Sequence, residues 1–172
     1  IAREGVRFTR YYCSDAPSLP SRSALSSGMF GIHNGAVGHG GTAADQFIEG
    51  EERDFRARFA STNLFQLFRR AGMYTASIST FAERHTTYWY YGGFNEIHNI
   101  GSGGGERADQ VSPIAIDWIK KNGKNDNWFL HINMWDAHTT YRTPAEFGNP
   151  FDGDDFFEHT WMKQETIDRQ RK

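Results

Sequence analysis

Twice along this chain an amphipathic run ends at a glycine and gives way to an apolar, β-forming run, and that order limits the fold more than any other feature. The first instance is Leu64-Phe65-Gln66-Leu67-Phe68-Arg69-Arg70-Ala71, preceded by the cap-type residues Ser61-Thr62-Asn63, closed by Gly72 and followed by Met73 to Thr80. The second is Arg107 to Lys121, with Val111, Ile114, Ala115, Trp118 and Ile119 at helical spacing, closed by Asn122-Gly123 and followed by the nearly continuous apolar run Trp128 to Trp135. Helix, glycine, strand is half of a βαβ unit, so an α/β fold with a mainly parallel sheet is expected. Leu64, Leu67, Phe68 and Ala71 share one face of the first helix. Trp128 to Trp135 reads as a central strand covered on both faces, with His131 inside it as a core histidine.

The remaining segments fit around these units. Val6 to Tyr12 alternates and carries β-formers, which predicts a strand, with Cys13 as a buried thiol at its end. Gly28 to Thr42 holds six glycines together with His33 and His39, too many for regular structure, and reads as a loop folded close over something. His39 is either a substrate contact or a solvated loop histidine. Asp45 to Arg58 is polar and predicted to be surface, and Phe94 to Ile100 is a short strand before the connector Gly101 to Gly105. The aromatic run Tyr88-Trp89-Tyr90-Tyr91 is either a wall for a sugar or aryl ring or a core cluster. Asn149 to Asp155 lacks EF-hand spacing and reads as an acidic turn.

Composition sets the limits. A chain of 172 residues, 38% hydrophobic, can bury one core, and a formal charge of −2 argues against a nucleic-acid partner. No apolar run approaches the roughly eighteen residues of a membrane span, and no signal peptide is visible. A single cysteine rules out an internal disulfide and leaves the compartment open. The start at Ile1-Ala2-Arg3-Glu4-Gly5 and the stop in the charged run Gln164 to Lys172 both read as cut ends.

The chemistry concentrates in Pro17-Ser18-Leu19-Pro20-Ser21-Arg22-Ser23-Ala24-Leu25-Ser26-Ser27-Gly28. Pro20 suits the first turn of a helix and Ser18 is a good N-cap type, so a helix is expected from about Pro20 to Ser27. Ser18 and Arg22 lie four apart, so both face one point at the helix mouth, where free backbone N–H groups and the dipole favour an anion. The predicted ligand is a tetrahedral oxyanion.

Ser18-x-Pro20-x-Arg22, followed by Ala24-Leu25-Ser26-Ser27-Gly28, resembles the signature of the type I sulfatases of the alkaline phosphatase superfamily. Glu4-Gly5-Val6-Arg7-Phe8-Thr9 upstream and Gly31-Ile32-His33-Asn34-Gly35 downstream strengthen the resemblance. Cys13 does not, having neither Pro nor Arg at the signature offsets. The resemblance implies a sulfatase-type α/β sandwich, a mainly parallel sheet between helices, with residues 1–172 forming part of a single catalytic domain. It makes Ser18 the precursor of formylglycine, whose hydrated aldehyde attacks the sulfate ester, and Arg22 the residue that neutralises the charge. A serine standing where an engineered variant replaces the signature cysteine would read the same way.

Two further segments are matched less closely. Where the family carries Gly-Lys-Trp-His after a strand, this chain has Ser79-Thr80-Phe81-Ala82-Glu83-Arg84-His85. Arg84 and His85 are candidates for a fixed cation and a proton-transfer group; the alternative for Arg84 is an ion pair with Glu83. His138, in Asp136-Ala137-His138-Thr139-Thr140 just after a strand, matches a loop that binds sulfate and protonates the leaving alcohol. The expected set is catalytic Ser18, Arg22, Arg84, His85 and His138, with His39 and His138 on the substrate.

The resemblance also implies a Ca2+ ion, of whose ligands only Ser18 lies in this sequence, the acidic pairs falling before Ile1 and after Lys172. It implies a maturase that installs formylglycine, a periplasmic or secreted location, and a sulfate ester substrate. A sulfated carbohydrate is favoured by the aromatic residues near the glycine-rich loop. Two other functions stay open: a phosphonate or phosphodiester hydrolase with the same nucleophile, and an inactive relative that binds sulfated glycans.

Overall fold

A computed structural model describes residues 3–40, 44, 59, 62–136, 138, 146, 148 and 169. The chain divides into two units, Ile1–Tyr141 and Arg142–Lys172. Only Glu146, Gly148 and Arg169 of the second are described, so the acidic turn after Asn149 and the segment Asp45 to Arg58 lie outside the described residues. In the first unit the order is α1 (Ser18–Ser27), α2 (Gly31–Asn34), α3 (Leu64–Arg70), β1 (Tyr74–Ile78), α4 (Phe81–His85), a 3-10 turn (Tyr88–Tyr91), β2 (Glu96–His98), α5 (Ala108–Asn122) and β3 (Trp128–Ile132). This is an α/β arrangement. No helix among the described residues is long and apolar enough to cross a membrane.

The three strands form a parallel sheet in the order β2-β1-β3, with Ala76 opposite Glu96 on one side and Leu130 on the other. The expected parallel pairing is present, but the central strand is β1, and β3 is half-buried along its length. β1 can be central because its side chains are small. Ala76 and Ile78 face α5 and pack with Val111, Ala115 and Trp118, while Leu130 and Ile132 extend the same layer. On the opposite face Phe65 of α3 lies against Phe94, Tyr90, Phe129 and His131, in a cluster that includes Leu19 of α1 and Phe81 of α4. Period-2 alternation in β1 and β3 thus feeds two separate cores.

The buried stripe of α3 differs from the expected one. Phe65 is the residue that is buried, Leu67 is 50% exposed and Ala71 is exposed, because the large aromatic pocket lies on the Phe65 side. Asn63 caps this helix by accepting from Gln66 N–H at 3.0 Å, and its amide also donates to the carbonyls of Phe59 (2.9 Å) and Gly92 (2.8 Å). Close packing of the Gly92-Gly93 turn needs glycine: a Cβ on Gly93 would stand 2.4 Å from Gln66 N at a φ of +106°.

Two expectations at the N-terminus are corrected. Residues 6–12 form no strand, being exposed backbone without ladder partners among the described residues, and Cys13 is exposed rather than buried. Alternation alone does not make a strand where no neighbour supplies the second half of the ladder. Helix α1 begins earlier than predicted, with Pro17 as N-cap and Ser18 already inside the first turn.

Asn63→Ala removes a helix cap and the side-chain donor to the Gly92 carbonyl, while Phe59 O keeps the Asn63 backbone N–H, so it should lower stability by about 2 kcal/mol. Leu67→Ala on the exposed side of the same helix should cost much less, and urea denaturation of both variants checks the contrast.

Candidate active site

The site begins at the start of α1. Of the first four N–H positions of this helix, Pro17 and Pro20 have no hydrogen, and Leu19 N–H donates to His39 Nε2 at 3.1 Å. The helix mouth therefore offers an anion the Ser18 N–H and little else from the backbone, fewer donors than the sequence predicts. The Ser18 hydroxyl makes no hydrogen bond among the described residues, and the helix has no side-chain cap. His39, which comes back from 20 residues downstream, stabilises the helix end in its place.

A short, tightly bonded loop brings His39 there. Buried Asn34 donates to Met29 O at 2.9 Å and accepts from Ala36 N–H at 2.9 Å, while Asp15 accepts from Gly31 N–H at 2.9 Å. Gly31 has no room for a side chain, since a Cβ would meet Asp15 Oδ1 and Ala36 O at 2.8 Å. The loop is thus tied to the segment before α1 as well as to the helix itself.

The other groups arrive from the C-terminal ends of the strands, where ligands collect in open α/β sheets. Arg84 and His85 end α4, directly after β1; His138 follows β3; and Ser102 to Gly105 follow β2. The rings of His39 and His85 stand 4.5 Å apart, and the Arg22 guanidinium sits 4.5 Å above the Phe81 ring, which itself contacts His85 at 4.7 Å. Arg84 lies 5.2 Å over Trp135, whose edge meets His138 at 5.4 Å. Through this chain of contacts all the predicted residues from Arg22 to His138 are brought to the end of the sheet that holds the α1 N-terminus.

Arg84 makes no ion pair with Glu83 among the described residues. Glu83 accepts the Tyr91 hydroxyl, and Arg84 donates to Gly103 O at 3.2 Å. Gly104 lets Arg84 pass, because a Cβ there would fall 2.7 Å from Arg84 Cδ and 3.2 Å from the Trp135 ring. The glycine connector is itself held by Glu106, a buried carboxylate that accepts from Thr80 Oγ1 (2.9 Å), Ser102 N–H (3.0 Å) and Gly104 N–H (3.0 Å).

The cluster is strongly cationic. Burial lowers the pKa of His85 to about 4, with His39, Arg84 and Arg22 adding repulsion, and a bond to the His39 backbone opposes part of this. His39 is lowered by burial, then by Arg84 and His138. Its bond to Leu19 N–H requires an unprotonated Nε2, so geometry and electrostatics agree on a neutral ring carrying its proton on Nδ1. Burial pushes Tyr90 up to about 12 despite the nearby Arg22 charge.

Sequence reasoning missed Trp135 and Glu106. Trp135 is the platform under Arg84, and its buried indole N–H has no partner among the described residues. Its only signal was a tryptophan at the end of an apolar run. Tyr90 belongs to the core cluster, as does His131, which pairs with Ser77 Oγ at 3.0 Å. Among the described residues no group of three or more His, Cys, Asp or Glu side chains is placed to hold a metal ion; Ser18, the one Ca2+ ligand that the resemblance implies within this sequence, lies in the first turn of α1. Comparisons with protein-family models, curated proteins and solved structures give no match, so the functional assignment rests on these residues alone.

Burial lowers His131 to about 4, with Arg22 adding repulsion. A histidine with a depressed folded pKa takes up its proton more readily in the unfolded chain, so its stabilising contribution is complete above about pH 6.5. It is lost as pH falls from there to about 4. For His131 the loss is on the order of 3 kcal/mol. Urea midpoints measured between pH 7.5 and 4 should fall across that window, and His131→Gln should flatten the slope.

Proposed function

We propose that this chain supplies the nucleophile and the anion-binding side of a sulfuric ester hydrolase, within a sulfatase-type α/β catalytic domain. What supports the reading is the convergence of Arg22, Arg84, His39, His85 and His138 beside the Ser18-x-Pro20-x-Arg22 helix start. Such a cluster is repulsive when empty and is relieved by a bound anion. A sulfate ester fits, because its charge is spread over oxygens that two guanidiniums can bridge.

Ser18, once converted to formylglycine by a maturase, supplies as the hydrated aldehyde the hydroxyl that attacks sulfur and a second one that releases the sulfate. The serine position suits that role: half-buried in the first helical turn, its hydroxyl committed to nothing among the described residues. Arg22, one turn on, faces the same point and carries the charge that builds on the sulfate oxygens. Arg84, backed by Trp135, is the second fixed charge. His39 keeps the helix mouth in place.

The histidines respond to the substrate. Burial first, and then the charge of Arg84 on both rings and of Arg22 on His85, disfavours the protonated forms of His39 and His85. The negative charge of a bound sulfate ester offsets part of the nearby positive charge and so favours protonation of an imidazole when there is a leaving alcohol to protonate. His138, at the strand end beside Trp135, is assigned that proton; His85 is the reserve candidate. A sulfated carbohydrate is the favoured substrate, given the aromatic and glycine-rich walls around the cluster.

Intact-mass analysis of the Ser18 peptide, from protein produced beside a serine-type maturase, should show loss of two hydrogens. Unmodified Ser18 together with retained sulfated-glycan binding would favour the inactive relative instead. Arg22→Ala should lower kcat/KM on an aryl sulfate by about 10²- to 10³-fold, with little recovery in Arg22→Lys. Faster turnover of an aryl phosphodiester than of the aryl sulfate would move the assignment to the phosphodiester hydrolases.

His138→Ala should cost about 10²- to 10⁴-fold on an alkyl sulfate, whose leaving group needs a proton. It should cost far less on nitrophenyl sulfate. Equal losses on both substrates would remove His138 as the acid and direct the same test to His85.

A further inference from the structure

At the other end of the sheet lies a cleft of about 280 Å3, lined by Tyr74, Asn122, Asn125, Asp126 and Trp128. It sits where β1 and β3 begin and α5 ends, whereas the cationic cluster sits where the strands finish. We propose that this cleft binds an uncharged sugar ring, independently of the chemistry at Ser18.

Tyr74 and Trp128 are register partners at the first positions of two neighbouring parallel strands, so their side chains leave the sheet on the same face, next to one another. Both are held in place. Trp128 meets the edge of Trp118 at 5.4 Å and 72°. The Tyr74 hydroxyl donates to Glu96 Oε2 at 3.2 Å, and Glu96 also accepts the Trp118 indole N–H at 3.1 Å and is bonded to His98 Nε2 at 2.6 Å. The opposite wall is fixed by Asn127, which takes a φ of +60° and accepts Tyr74 N–H at 2.8 Å. Two aromatic surfaces thus stand against a pinned polar turn.

The polar groups decide the ligand. Asn122 donates its amide to Trp118 O at 3.0 Å, which leaves its carbonyl oxygen as an acceptor. The side chains of Asn125 and Asp126 make no hydrogen bond or ion pair among the described residues. The cleft therefore presents amide donors, amide acceptors and a carboxylate, and neither Lys nor Arg lines it. A purely apolar ligand would cover these groups without replacing their water, and a sulfated or phosphorylated one would meet the Asp126 charge. A neutral polyhydroxylated ring satisfies both requirements: its C–H face lies on the aromatic rings, and its hydroxyls donate to Asp126 and Asn122 and accept from Asn125. The volume, near the lower limit of about 300 Å3 for ligand clefts, suits a single ring of a longer chain.

The test is isothermal titration calorimetry of the whole protein with cellohexaose, maltohexaose and xylohexaose, on wild type and on Trp128→Ala, Asp126→Ala and Arg22→Ala. Saturable binding of at least one oligosaccharide is expected, weakened about tenfold or more by Trp128→Ala and by Asp126→Ala, and unchanged in Arg22→Ala. Trp128 supports the Trp118 layer, so loss of fold in that variant would pass the decision to exposed Asp126. Absence of binding to all three sugars overturns the proposal. So does binding indifferent to Asp126→Ala, or binding lost in Arg22→Ala, which would place the sugar at the cationic cluster. A failed sulfatase assay leaves this result untouched.

Discussion

The structure depends on β1 being able to lie in the middle of the sheet with a polar side chain at every second position. Thr75 and Ser77 are fully buried on the face towards α3, and a buried hydroxyl without a partner costs about 1–3 kcal/mol. Each is matched. Thr75 donates to Gly93 O at 2.7 Å and lies 2.8 Å from Asn95 Oδ1, which fixes the entry into β2. Ser77 pairs with His131 Nδ1 at 3.0 Å and so ties β1 to β3 through side chains as well as backbone. With both neighbours registered against β1, the loops leaving the strand ends have fixed starting points, and the cationic groups they carry converge.

That convergence works against folding. Arg22, Arg84, His39, His85 and His138 are brought together from several segments, and the depressed values of His39 and His85 record their burial first and the neighbouring positive charge second. The aromatic residues that separate the charges reduce the cost. Phe81 lies under Arg22 and Trp135 under Arg84, so each guanidinium rests on a π face. A cluster arranged in this way gains most from an anion that reaches both cations at once. This is the physical basis for placing an ester of a strong acid there.

Much of this was legible in the sequence, for identifiable reasons. The helix-glycine-strand order predicted the parallel sheet because Gly72 and Asn122-Gly123 punctuate runs whose periodicity changes from helix to strand. Asn63 was visible as a cap because cap chemistry is local. What failed was non-local. Residues 6–12 alternate like a strand, yet no described neighbour pairs with them. Helical spacing favoured Leu67 and Ala71 for burial in α3, but the aromatic cluster lies on the Phe65 side. Trp128 to Trp135 looked more central than Met73 to Thr80 because its side chains are larger. In the sheet, small size is what lets β1 be covered on both faces.

The displaced cap of α1 links the two kinds of reading. A serine at the mouth of a helix usually gives its side-chain oxygen to the backbone N–H groups of the first turn, and a hydroxyl used in that way is poorly placed to react. Here Ser18 lies one position inside the helix, Pro17 and Pro20 remove two of the N–H groups that would need a cap, and His39 takes the Leu19 N–H. The first turn, its Ser18 N–H apart, is satisfied without the Ser18 hydroxyl. The same His39 ring stands 4.5 Å from His85, so the group that stabilises the helix end is also in the wall of the cationic cluster. Protonating His39 would break the bond to Leu19 and add a charge where two guanidiniums already lie, which couples the geometry of the helix start at Ser18 to the charge state of the cluster.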